Sequence, residues 1–117
     1  MTHSMKLHKK PFELIRSGRK TIELRLFDEK RQAIRVGDHI AFSCSDDPTQ
    51  TLEAQVVALH RFDSFEELYK TLPLEQCGYL PEELATASYK DMELYYTPEE
   101  QERYGVLGIE IKLDFTE

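Results

Sequence analysis

The sequence has no tryptophan, and its 117 residues include only two cysteines, five glycines and five prolines. No glycine- or proline-rich tract interrupts it, and no internal repeat or low-complexity run stands out. A single domain over residues 1–117 is therefore expected, with residues 1–6 as a loose start. Apolar runs are too short to cross a bilayer. The N-terminal Met1-Thr-His-Ser-Met-Lys6 lacks the apolar stretch of a secretory signal. Cys44 and Cys77 lie too far apart for a CxxC pair and read as reduced structural thiols. Together these features predict a cytoplasmic protein with no membrane association. No nucleotide-triphosphate loop, dinucleotide fingerprint, HExxH or GxSxG motif occurs. His3, His8, His39 and His60 have no ligand-like spacing, so neither a metal nor a cofactor is expected.

Positive charge is also scarce, but unevenly so. The chain carries a net charge of −7. Residues 1–39 hold ten Lys/Arg against five Asp/Glu, whereas residues 40–117 hold five against seventeen. An anionic ligand is drawn to the first third and repelled by the rest. This argues against wrapping long duplex DNA, where many phosphates need neutralising. It is compatible with one nucleotide or a short single strand in a locally positive cleft.

The hydrophobic share, 40%, is enough for a core. Pro11 is predicted to open a short helix with Phe12, Leu14 and Ile15 as its apolar positions and Gly18 as its stop. Period-two alternation marks strands at 20–26 (Ile22, Leu24, Leu26), 39–44 (Ile40, Phe42, Cys44) and 106–113 (Leu107, Ile109, Ile111), with a long strand over 51–60. Ser64-Phe-Glu-Glu67 and Thr97-Pro-Glu-Glu100 are capping-box signatures that open helices. A further helix is predicted from Pro81 into the Met92–Tyr95 region. The pattern is α+β: a small, mostly antiparallel barrel or curled sheet with peripheral helices. The short spacing favours antiparallel pairing among the early strands.

The segment with chemical content is Ser17-Gly-Arg-Lys-Thr-Ile-Glu-Leu-Arg25. On a strand, Thr21, Glu23 and Arg25 leave the same face, and Lys20 stands at the entry. A carboxylate beside a guanidinium accepts hydrogen bonds from a base edge while the cation meets a phosphate or carbonyl. Spacing alone favours a plainer reading, a surface salt bridge worth under about 1 kcal/mol.

The run Gly18-x-Lys20-x-x-Glu23-x-Arg25 resembles the GxKxxExR signature of ASCH domains. The Phe27–Arg31 segment, the Val36-Gly37-Asp38 turn, the Phe62-x-Ser64-Phe65 helix entry and the closing Glu102-x-Tyr104-Gly105-Val106-x-x-Ile109 are similar to small stand-alone members of that family. The resemblance implies a PUA-like barrel that binds single-stranded RNA or a modified nucleoside or nucleotide. It implies a site made of Lys20, Thr21, Glu23 and Arg25, with Arg19 and with Tyr104 as a stacking face, although a place in the core at a helix end is the favoured reading of Tyr104. One branch implies an alternative, an amidohydrolase of acetylated cytidine that uses a lysine, a threonine nucleophile and a glutamate. Lys20 matches that lysine, but Glu23 stands where the threonine falls. Thr21 is displaced by roughly 7 Å along the strand, and the glutamate falls near Glu67 or Glu75. If the protein is an enzyme, Lys20 and Glu23 are its expected catalytic pair, acting as acid and base on a nucleoside or on RNA. A protein-interaction domain is a further alternative, suggested by the acidic C-terminal two-thirds and by Tyr89, Tyr95 and Tyr96.

Overall fold

Alternation of apolar and polar residues sets the strands, and one buried face per strand sets their packing. In the computed structural model, which describes residues 1–114, five strands form one sheet: β1 (Thr2–Leu7), β2 (Ile22–Leu26), β3 (His39–Cys44), β4 (Thr51–Phe62) and β5 (Val106–Leu113). The order across the sheet is β1-β3-β4-β5-β2. The β3–β4, β4–β5 and β5–β2 pairs are antiparallel, and β1–β3 is parallel. A bulge at Val56–Ala58 interrupts the ladder of the twelve-residue β4, and such bulges bend a strand and raise its twist. The sheet curls into a half-barrel with helices around it, the α+β, PUA-like architecture.

Two expectations need correcting. Residues 2–7 are not a loose start but an edge strand that buries Met5 and Leu7. Its partner β3 lies far along the chain, so no local turn announces the pairing. The early strands do not form a simple antiparallel series either. β2 skips β3 and pairs with β5, and the β1–β3 crossover runs through α1 (Lys9–Arg16), β2 and the single turn α2 (Glu29–Gln32).

Local signals place the helices. Pro11 falls in the first turn of α1, where amides lack intrahelical partners anyway, and Phe12 and Ile15 are buried. The Ser64 hydroxyl accepts from the Glu67 amide to start α3 (Phe65–Thr71). Thr97 and Glu100 form a reciprocal capping box at α4 (Pro98–Tyr104). Gly105 ends α4 at φ 76°, a conformation that favours glycine. The single helix expected from Pro81 is instead two 3-10 helices, Pro81–Thr86 and Tyr89–Leu94, because the chain turns extended at Ala87 and Ser88 caps a fresh start.

The core has two parts. One is built on Phe12, Ile40, Phe42, Val56 and Ile109 between the sheet and α1. The other joins Ile22, Leu24 and Leu26 of β2 to Phe65 and Leu68 of α3. The sheet thus presents β2 to a cover made of α3 and the two 3-10 helices.

Candidate functional site

β2 is an edge strand, and the curl of the sheet brings it towards the opposite edge, β1. The gap is bridged by a side chain: Arg25 donates through Nη2 to the Lys6 carbonyl of β1 at 3.0 Å. Beside this bridge opens a cavity of about 470 Å³. Its floor carries Lys20, Glu23 and Arg25, and its cover carries Tyr69, Tyr79, Asp91, Met92, Tyr95 and Tyr96. Lys10 of α1 reaches across to Glu83 in the first 3-10 helix at 3.0 Å, which ties the cover to the rest of the domain.

Glu23 is the centre of the floor. It is 4% exposed, yet its neighbours on β2, Ile22 and Leu24, are buried as well. Both faces of this strand are therefore covered. Lys20 Nζ lies 2.8 Å from Glu23 Oε1, and Arg25 Nε donates to Oε2 at 2.7 Å. The two cations are themselves largely enclosed, at 11% and 13% exposure. Burial alone would push the Glu23 carboxyl up, but Lys20 and Arg25 outweigh it and hold the group below the usual carboxylate range. Burial likewise works against the Arg25 cation, and Glu23 with the Tyr96 hydroxyl reverses that and raises its pKa. The triad thus holds the Glu23 carboxylate between two largely enclosed cationic side chains. The surface salt bridge favoured by spacing alone is overturned by the depth of all three groups.

Gly78 cradles the lysine. Its φ is 111°, and a Cβ there would stand 3.1 Å from Lys20 Cδ. The adjacent Cys77 is buried. Burial pushes its thiol up to about 11, despite the opposing pull of Lys20. On the cover, Tyr79 donates to Asp91 Oδ2 at 2.6 Å, and the Tyr69 and Tyr79 hydroxyls lie 2.7 Å apart.

Not all expected site residues meet here. Lys20, Glu23 and Arg25 do. Thr21 turns away, with its hydroxyl 3.3 Å from the Gln76 side chain, and its backbone amide also bonds to Gln76. Arg19 is exposed and outside the cavity lining. Tyr104 ends α4, packs against the second part of the core and sits under the Arg103 guanidinium, away from the cavity lining. Glu67 and Glu75 are exposed and do not line it. Of the three tyrosines singled out in sequence, Tyr95 and Tyr96 line the cavity and Tyr89 does not. Sequence reasoning missed Tyr69, Tyr79, Asp91 and Gly78. The available signal was the density of tyrosine between residues 69 and 96, without any motif to give it direction. His39 Nδ1 lies within hydrogen-bond reach of Asp114 (2.9 Å) and near Glu53 (3.9 Å), a partly exposed group on the sheet rim.

A family model of the ASCH domain matches residues 5–115, nearly the whole chain. The chain belongs to the ASCH domain family. Two solved structures extend this ASCH assignment. The hypothetical protein PH0355 is 33% identical, covers 97% of this chain and all of its own, and has a TM-score of 0.80. Protein PF0455 from Pyrococcus furiosus is also 33% identical, with 97% of each chain covered and a TM-score of 0.71. ASCH from Zymomonas mobilis is 16% identical over 95% of this chain and 66% of its own, with a TM-score of 0.65, a likeness of fold. No curated protein matches the sequence. Among the described residues no helix is long and apolar enough to cross a membrane.

Proposed function

We propose that this ASCH domain binds a single nucleoside or nucleotide unit, free or carried in single-stranded RNA, inside the cavity between β2 and the tyrosine-bearing cover. The observation behind this reading is the buried Lys20–Glu23–Arg25 triad on the floor of that cavity. Lys20 and Glu23 present a donor and an acceptor side by side, which is what the polar edge of a nucleobase requires. Arg25 adds a planar cation suited to a carbonyl or phosphate. The tyrosine faces opposite supply stacking area, which is tolerant of base identity. A volume of about 470 Å³ falls within the range of small-molecule sites, roughly 300–1,000 Å³.

Binding fits the chemistry better than hydrolysis. Cleavage of an acylated nucleoside through a covalent intermediate needs an activated nucleophile beside Lys20. Thr21 is engaged with Gln76, and the Cys77 thiol is pushed to about 11. Glu23, held below the usual carboxylate range, is a weak base.

The test is a gel titration with short labelled single-stranded RNA at low and moderate salt, run beside nucleoside titrations, with Lys20→Ala and Arg25→Ala as variants. Binding that weakens in both variants supports the reading. Equal binding by both variants and the parent refutes this cavity as the site. Conversion of an acylated nucleoside, or shortened RNA, that depends on Lys20 and Glu23 replaces binding with catalysis.

A further inference from the structure

The cover of the cavity contains a directional chain of hydrogen bonds. Asp91 Oδ2 accepts from the Tyr79 hydroxyl at 2.6 Å and faces the Ser88 amide, which donates to the same oxygen at 3.3 Å. A carboxylate with both roles can only accept. The Tyr79 proton is therefore committed to Asp91. At 2.7 Å from Tyr69, the Tyr79 oxygen has only lone pairs left, so the bond between the two phenols runs from Tyr69 to Tyr79. The Tyr69 proton is committed in turn. Tyr69 is half-buried on the cavity wall, with Cys77 and Tyr95 beside it. Burial pushes Tyr69 up to about 12, and burial with the Asp91 bond pushes Tyr79 above its ordinary range, so both phenols keep their protons. What Tyr69 offers to the cavity is a lone pair.

Resting on the nucleobase reading of the cavity, we infer that Asp91, acting through Tyr79, fixes Tyr69 as a hydrogen-bond acceptor and so selects bases that carry an exocyclic amine over their oxo counterparts. An amine donates to the Tyr69 oxygen. An oxo group at the same position places two acceptors face to face with no proton between them. Tyr69 is the specificity-determining residue, and Asp91 is a positioning residue that sets its polarity from two side chains away.

The experiment compares cytidine with uridine and adenosine with inosine by calorimetric titration, since each pair exchanges amino for oxo at one ring carbon and the adjacent ring nitrogen from acceptor to donor, and Tyr69→Phe isolates the exocyclic contribution. The parent protein is expected to favour the amino member of each pair by about ten-fold. Asp91→Ala removes the oxygen that accepts from both Tyr79 and the Ser88 amide. The Tyr79 hydroxyl is then free to donate to Tyr69, the chain can run the other way, and the preference falls to parity or inverts. In Tyr69→Phe the preference disappears while binding itself persists. Melting curves for both variants establish that they are folded, and the amino-to-oxo ratio is a readout that simple loss of packing does not invert. A preference that is absent in the parent, or unchanged in both variants, overturns the inference and leaves the nucleobase reading standing. Failure of all four nucleosides to bind overturns both.

Discussion

Replacing Lys20 by methionine keeps the stem that packs on Gly78 and removes the charge from Glu23 Oε1. The structure sets the size of the effect. Glu23 is 4% exposed, so solvent cannot replace the lost partner. Breaking a fully buried ion pair costs about 3–5 kcal/mol. Arg25 remains on Oε2 at 2.7 Å, which retains part of the compensation. A loss of about 2 kcal/mol is therefore expected at neutral pH. Adding Glu23→Gln to Lys20→Met leaves the Arg25 cation without its carboxylate, so the double variant should lose further stability. Urea unfolding of the parent, both single variants and the double variant measures this directly. The pH dependence has a defined sign. Because the folded pKa of Glu23 lies below its ordinary value of 4.5, its contribution is present above that value and is lost as pH falls through the folded pKa. Without Lys20 the folded pKa rises, so the acid loss begins at higher pH than in the parent. A Lys20→Met cost below about 0.5 kcal/mol, or a double variant as stable as the Lys20→Met single, refutes the buried-triad argument.

Three further outcomes follow from the same geometry. Gly78→Ala puts a Cβ 3.1 Å from Lys20 Cδ at a φ of 111°; it should cost about 1–2 kcal/mol and weaken nucleoside binding, both measurable on one purified variant. Cys77, buried with its thiol raised to about 11, should react with a thiol reagent at pH 8 far more slowly than a free cysteine, and faster once urea opens the fold. Thr97→Ala removes the hydroxyl that caps α4 through the Glu100 amide; it should lower stability by about 1 kcal/mol and leave ligand affinity unchanged.

Much of the framework was legible where the signal is local. The span of β3 was read as 39–44 because Ile40, Phe42 and Cys44 alternate without interruption, and the α3 and α4 starts were read from hydroxyls that cap their own helices. β1 was missed because its six residues have no neighbouring strand in sequence, and only parallel pairing with β3 makes them a strand. A single helix from Pro81 into the Met92–Tyr95 region does not form, because the run lacks a continuous apolar stripe and Ser88 restarts it. The site divides in the same way. The alternation on β2 put Glu23 and Arg25 on one face, as found. Nothing in that alternation tells what lies over the face. The cover comes from residues 69–96, and its approach turned an apparent surface ion pair into a buried triad. Of the two readings of Tyr104, the helix-end core residue holds: it ends α4 and packs against the second part of the core.

The central claim is that a nucleobase enters the cavity over Lys20, Glu23 and Arg25. Its most direct test is a titration of the isotopically labelled protein with cytidine 5′-monophosphate, followed residue by residue in amide and side-chain NMR spectra. The account predicts saturable shifts concentrated on residues 20–25 and on the cover, with the Lys20 and Arg25 side-chain signals among the most affected, and their loss in Lys20→Ala. Shifts confined to other surfaces, or a map unchanged by Lys20→Ala, would contradict it.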